Sequence, residues 1–193
     1  MLTLLFRIQR KVLLKYKILG KKYFLLKMKS LYTSRLIISS DMVYGKLFSI
    51  HFDLSSSSIE IGQQVQFRNC CHIQSGLDGK LKIGNKVFFN NGCTINCFAE
   101  ISIGDNCQFG EDVKFYDMNH KYNDLSILIA DQGYVVGSIK VGSNCWFGSN
   151  VTILKDVIVG DNVVIGANCL IYKSIPSNSV VIQKQDLIIT PIN

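Results

Sequence analysis

Residues Val159–Pro176 read VGDNVVIGANCLIYKSIP, three six-residue units opened by the large apolar residues Val159, Ile165 and Ile171. A small apolar residue follows four places after the opener, as in Val163 and Cys169. The same unit recurs upstream, with openers Val141, Phe147, Ile153; Ile103, Phe109, Phe115; Ile83, Phe89, Ile95; and Ile61, Phe67, Ile73. Their fourth-following residues include Val65, Cys71, Val87, Cys93, Ala99, Cys107, Val113, Cys145, Val151 and Val157. A fixed hexapeptide period defines a solenoid of parallel β-coils. One hexad supplies a short strand and a corner, three hexads make a triangular coil, and coils stack at about 4.8 Å. Alternation along each strand points the openers inward. A Gly follows the opener in Ile61-Gly62, Ile83-Gly84 and Val159-Gly160, among others, where the chain must bend or approach its neighbour closely.

The expected fold is an all-β solenoid of about five regular coils over residues 61–176. Residues 41–60 form an irregular first coil and 177–193 a C-terminal tail. The longest break in the period, Lys121 to Lys140, leaves the coil after His120, and a long loop in a compact domain usually carries function. The net charge of +7 is unevenly distributed. Residues 1–40 hold ten Lys or Arg and no acid, whereas residues 41–193 hold eleven basic and fourteen acidic residues, or −3. The basic character thus belongs to an N-terminal amphipathic, helical arm. Charges interrupt each of its apolar runs, so it does not read as a membrane span. Two readings stay open: residues 1–30 lie on an anionic lipid surface, or they cap the first coil. Nucleic-acid binding is not expected, since the coils carry no basic stripe.

Five of the seven cysteines (Cys71, Cys93, Cys107, Cys145, Cys169) take the inward small-residue position, where a thiol behaves as a small hydrophobe. No Cys-x-x-Cys pair suits zinc, and unpaired thiols fit a reducing cytoplasm. His51 and His72 have no evident partner in the sequence. His120 ends Phe115-Tyr116-Asp117-Met118-Asn119-His120 beside the long loop, where an outward imidazole can accept a proton from a hydroxyl.

The runs FYDMNHKY (Phe115–Tyr122), KVGSNCWFGSNVTIL (Lys140–Leu154) and VGDNVVIGANCLIYKSIP resemble the hexapeptide-repeat O-acetyltransferases, among them the galactoside, maltose and bacterial surface-polysaccharide enzymes. That resemblance covers roughly residues 59–181 and implies a left-handed β-helix, an exception to the right-handed crossover rule. It also implies a homotrimer with acetyl-CoA bound between subunits, and no metal. By the same resemblance His120 is the catalytic base, Asn90 contacts the acceptor, and Trp146 walls the acceptor and pantetheine site. Ser149 and Ala167 offer backbone amides to the thioester and the CoA arm, and Lys173 lies near the CoA phosphates, with an ordinary surface lysine as the alternative. Asp117 orients the imidazole, binds the acceptor, or is a solvated turn carboxylate. The family's closing Gly-x-Pro-basic signature is absent; the chain reads Val181-Ile182-Gln183-Lys184.

Within eighteen-residue coils Asn90 is the eighth residue, Trp146 the sixth, and Ser149 and Ala167 the ninth, so these four share one side of the prism. His120 is the eighteenth and belongs to another corner, which a threefold ring would bring against a neighbour's Trp146. The activity so implied is direct acetyl transfer from acetyl-CoA to a sugar hydroxyl in bacterial surface-polysaccharide synthesis, in the cytoplasm or at the inner face of the membrane. An amino-sugar N-acetyltransferase, a serine-type acetyltransferase and a non-catalytic scaffold are the alternatives. A γ-type carbonic anhydrase needs three zinc histidines, which His51, His72 and His120 are too dispersed to supply.

Overall fold

The openers and the small residues four places on turn the chain into a continuous core. All fifteen openers are buried, and so are the small Val and Cys residues four places after them; Ala99 is half-buried. The computed structural model describes residues 23–28, 30–32, 34–53, 56–184 and 189. Their strands form three parallel sheets, the faces of a prism. The first face stacks Leu36–Ile38, Ser58–Ile61, Lys80–Ile83, Glu100–Ile103, Ser138–Val141 and Val157–Val159. The second stacks Val43–Tyr44, Gln66–Phe67, Phe88–Phe89, Gln108–Phe109, Trp146–Phe147, Val164–Ile165 and Val180–Val181. The third stacks Ser49–Phe52, His72–Ser75, Thr94–Cys97, Lys114–Tyr116, Thr152–Leu154 and Leu170–Ile171. This is a parallel β-solenoid consistent with the left-handed β-helix.

There are about six turns rather than five. Leu36–Ile38 pairs in register with Ile59–Ile61, and Ser49–Phe52 with His72–Ser75. The segment read as an irregular coil is thus a regular one, and its first strand begins within residues 1–40. Its hexads escape the period because polar Ser55-Ser56-Ser57-Ser58 separates them from the next coil. Inside, Phe48, Phe67, Phe89, Phe109 and Phe147 form a column with ring centroids 4.5–4.9 Å apart. Such aromatic contacts add to the burial of each ring.

The corners have a chemistry of their own. Three residues after most openers the backbone turns left-handed, with φ between 55° and 64° at Gln64, Cys70, Lys86, Asn106, Asp112, Asn144, Asn150, Asp156, Asn162 and Asn168. Asn and Asp dominate because their short polar side chains tolerate this region. The asparagines also bond from coil to coil: Asn144 Nδ2 donates to Asn162 Oδ1 (2.8 Å), and Asn162 Nδ2 to Asn178 Oδ1 (3.0 Å). The glycines after openers serve close approach instead. A Cβ on Gly62 would lie 2.6 Å from the Gly84 carbonyl oxygen.

Residues 23–28 and 30–31 are helical. Met28 is buried, Phe24 meets Tyr44 at 5.4 Å, and Tyr32 lies 4.4 Å from Phe52, so this segment covers the open end of the first coil. For these residues the capping reading applies. Most of the arm's charges, on residues 1–22, lie outside the described residues. No helix among the described residues is long and apolar enough to cross a membrane.

Candidate active site

The corner between the second and third faces carries two stacked columns. Registers across the second face align Arg68, Asn90, Gly110, Gly148 and Gly166. One residue further on come Asn69, Asn91, Glu111, Ser149 and Ala167. Trp146 stands just before this corner, 57% exposed, between Gln108 and Val164. Asn90, Trp146, Ser149 and Ala167 are therefore on one side of the prism, as their phase predicts.

A backbone N–H at a coil corner needs an acceptor, and the next coil usually supplies one. At the corner between the first and second faces, Gln63 N–H donates to Asn85 Oδ1 (2.8 Å), Asn85 N–H to Asp105 Oδ1 (2.6 Å) and Asp105 N–H to Ser143 Oγ (3.1 Å). That series continues with Ser143 N–H on Asp161 Oδ1 (2.6 Å) and Asp161 N–H on Ser177 Oγ (3.0 Å). At the corner between the second and third faces the pattern begins in the same way. Lys46 N–H donates to Asn69 Oδ1 (2.8 Å) and Asn69 N–H to Asn91 Oδ1 (3.1 Å), whereas Asn91 N–H turns back to Asn90 Oδ1 in its own coil (3.0 Å). It then stops. Among the described residues, the Ser149 and Ala167 N–H groups have no hydrogen-bond acceptor. Glycines keep them uncovered: a Cβ on Gly110 would lie 2.7 Å from Ser149 N, and one on Gly148 2.6 Å from Ala167 N. Two free amides, one coil apart, can bind carbonyl oxygens or a developing oxyanion.

Glu111, which the sequence reading did not single out, joins two of the expected site residues. Its Oε1 accepts from Asn90 Nδ2 (2.5 Å) and its Oε2 from Ser149 Oγ (2.8 Å). The Ser149 hydroxyl, then Glu111's own N–H, and more weakly Asn90 and nearby Arg68, hold the carboxyl below its ordinary value. The sequence signal was an acid at a position where other coils carry Lys, Asn, Ser or Ala.

His120 lies elsewhere. The excursion expected at 121–140 begins at Met118 and ends before Ser138, because Met118–His120 pairs antiparallel with Tyr134–Val136. Ser138–Val141 is already back on the first face, beside Glu100–Ile103. His120 is thus exposed on a hairpin strand, not at the end of a coil, and pairs with Tyr134. The Gly137 N–H donates to the Asp117 carbonyl oxygen (2.8 Å), closing the hairpin's neck.

Asp117 is not a solvated turn residue. It is fully buried, and its carboxylate accepts from Phe98 N–H (2.8 Å) and Ala99 N–H (2.8 Å). Burial pushes its carboxyl up, against the pull of those two amides. Its oxygens are committed to the backbone of the preceding coil rather than to His120. Lys173, exposed with Nζ 5.6 Å from the Tyr172 ring centroid, follows Leu170–Ile171 at the end of the third face. That is the side from which the hairpin leaves, not the corner of Ser149 and Ala167. Within one chain, then, His120 and Lys173 are on one side and Asn90, Glu111, Trp146, Ser149 and Ala167 on another. No group of three His, Cys, Asp or Glu among the described residues suits a metal ion.

The three-faced solenoid is built from a repeated hexapeptide. Residues 138–173 match the family described as bacterial transferase hexapeptide (six repeats). The chain is 29% identical over 147 residues to a Mycobacterium tuberculosis protein named a probable acetyltransferase, spanning 76% of this chain and 49% of that one. A Staphylococcus aureus protein with a similarly provisional acetyltransferase name is 33% identical over 103 residues, spanning 53% of this chain and 50% of that one. The chain thus spans about half the length of these relatives. Among solved structures, a maltose O-acetyltransferase from Clostridium difficile shares the fold at 24% identity and a TM-score of 0.51, covering 79% of this chain and 67% of that one. A variant of the Bacillus cereus N-acyltransferase AntD, in complex with dTDP and coenzyme A, does so at 16% identity and a TM-score of 0.54, covering 72% and 76%.

Proposed function

We propose that this protein transfers an acetyl group from acetyl-CoA to a hydroxyl of a saccharide acceptor. The observation that carries this reading is the pair of free N–H groups at Ser149 and Ala167, on a ladder whose first two corners, Lys46 and Asn69, are bonded from coil to coil. The acyl donor lies along this edge, with the Ser149 amide toward the thioester oxygen and the Ala167 amide toward the pantetheine arm. Trp146 flanks the thioester and Asn90 the acceptor. His120 takes the proton from the acceptor hydroxyl as the hydroxyl oxygen attacks the thioester carbon, and the thiolate of CoA leaves after the tetrahedral adduct collapses. A well-placed amide donor contributes about 3–4 kcal/mol to such an oxyanion. No covalent enzyme intermediate is required.

Because His120 and the Ser149 edge occupy different sides of one prism, the reading calls for a ring of three copies, with His120 of each facing its neighbour's Trp146. The basic arm fits docking at an anionic inner leaflet, where polysaccharide precursors are carried on lipid.

The test is CoA release from acetyl-CoA in the presence of saccharides, nucleotide-linked amino sugars and serine. Turnover with a saccharide hydroxyl, reduced about 10²–10⁴-fold by His120→Ala at unchanged melting temperature, is expected. Turnover only with amines would assign N-acylation, and a wild-type chain that binds no acetyl-CoA would leave a scaffold. Mixed trimers of inactive His120→Ala and Trp146→Ala chains should recover part of the activity. No recovery after demonstrated subunit exchange would put the site within one chain.

A further inference from the structure

Proton counting at Glu111 says more about this edge than the positions of its side chains. A serine hydroxyl has one proton and two lone pairs, and a carboxylate only accepts. The Ser149 hydroxyl proton is committed to Glu111 Oε2 (2.8 Å), so Ser149 Oγ presents only lone pairs to a ligand. Asn90 is fixed as well. Its Oδ1 accepts the Asn91 N–H (3.0 Å), and one Nδ2 proton goes to Glu111 Oε1 (2.5 Å). Turning that amide over would set its oxygen against the carboxylate, so the second Nδ2 proton is the donor it offers outward.

We propose that Glu111 is a positioning residue that sets the hydrogen-bond polarity of the acyl-transfer edge: Ser149 Oγ receives an N–H or O–H from the ligand, and Asn90 Nδ2 donates to a ligand oxygen. This rests on the reading of the edge as an acetyl-CoA site. The chemical class that suits Ser149 Oγ is an amide N–H of the pantetheine arm or an acceptor hydroxyl. A carbonyl oxygen suits the backbone N–H of Ser149 but not its Oγ. Glu111 touches no reacting atom in this scheme and acts through Ser149 and Asn90. Its carboxyl, held below its ordinary value mainly by Ser149, stays ionised at neutral pH.

Glu111→Gln is the informative change, because glutamine has one acceptor oxygen where glutamate has two. If that oxygen stays with Asn90, the new NH2 faces Ser149, whose proton must turn outward. Ser149 then becomes a donor. If the oxygen turns to Ser149, the NH2 confronts Asn90 and displaces it. Either way one member of the pair is inverted with little change in shape.

Trp146 is the only tryptophan in the chain, so its fluorescence reports acetyl-CoA titrations directly. Glu111→Gln should weaken acetyl-CoA binding about tenfold, the scale of losing one charge-assisted contact. The same change in a Ser149→Ala background should cost less than about threefold, since the group it acts through is gone. In a Ser149→Thr background, which keeps the hydroxyl, the full loss should return. A purely structural Glu111 would lower the melting temperature and weaken binding equally in all three backgrounds, overturning the proposal, as would unchanged affinity in Glu111→Gln. Should Glu111→Gln fail to fold, Ser149→Ala against Ser149→Thr decides: affinity lost in the first and kept in the second supports the polarity assignment, and equal affinities overturn it. Absence of any response by the wild-type chain to acetyl-CoA, followed also by calorimetry, would remove the acetyl-CoA reading itself and the inference with it.

Discussion

The Tyr134 ring lies 4.7 Å, centroid to centroid, from the His120 imidazole. Tyr134 also lies 5.3 Å from Phe98, a side chain buried in the coil. Phe98 in turn has its backbone N–H held by the Asp117 carboxylate. The exposed imidazole is thus tied to the solenoid wall through an aromatic bridge. Tyr134→Ala should lower kcat about tenfold or more, since small misplacement of a catalytic group is costly. Tyr134→Phe, which keeps the ring, should stay near wild type. Steady-state rates at saturating acetyl-CoA check this, and equal losses in both variants would assign the role to the phenolic hydroxyl instead.

Asp117→Ala should destabilise the fold, because it strips the acceptor from the Phe98 and Ala99 N–H groups. Leaving a buried donor unpaired costs about 1–3 kcal/mol. Urea denaturation should show a lower midpoint with an unchanged slope. Asp117→Asn, with one acceptor oxygen in place of two, should fall between alanine and wild type.

Stability should also respond to mild acid through His72. Its Nδ1 is 2.7 Å from Ser49 Oγ, and its ring centroid is 5.2 Å from that of His51, the neighbouring titratable side chain. Burial first, and the His51 charge second, lower its folded-state pKa below the ordinary 6.5. A lowered histidine binds fewer protons folded than unfolded, so stability is full above pH 6.5 and declines as pH falls from there towards the folded pKa. His72→Gln should flatten that decline below pH 6.5, read as melting temperature against pH.

Two truncations separate the roles of the N-terminal segment. Removing residues 1–32 uncovers Tyr44 and Phe52 at the end of the first coil and should lower the melting temperature or cause aggregation. Removing only residues 1–22 should leave the melt unchanged. If those residues contact lipid, this shorter deletion abolishes co-sedimentation with anionic vesicles at low salt, where each near-surface cation contributes on the order of 1 kcal/mol. Unaltered sedimentation would place any lipid contact elsewhere.

The core was legible because the period is carried by bulky openers such as Phe89 and Phe147, whose inward direction follows from strand alternation alone. The grouping of Asn90, Trp146, Ser149 and Ala167 was legible for the same reason, since phase in a coil is position in space. Glu111 was not, because its importance lies in two side-chain contacts with neighbouring coils rather than in any motif. The hairpin was missed for a local reason. Met118–His120 continues the strand-like run of Lys114–Tyr116, and only the pairing with Tyr134–Val136 shows that the chain has already left the coil. Nothing in the sequence separates the three readings of Asp117, because sequence cannot show the two amides beneath it.

The hairpin's insertion also bears on how the protein folds and diversifies. Paired residues on the first face are 20 apart in sequence between Lys80 and Glu100, but 38 apart between Glu100 and Ser138. Closure entropy grows only with the logarithm of length, and a doubling costs about 0.6 kcal/mol. Coils form by contact with their immediate neighbours, so this one seam should delay zippering slightly and otherwise leave the topology untouched. Residues between the neck at Asp117 and Gly137 can therefore be lengthened, shortened or exchanged at almost no cost to folding. The segment that bears His120, the base of the proposed reaction, is the part of the molecule freest to be rewritten for a new acceptor.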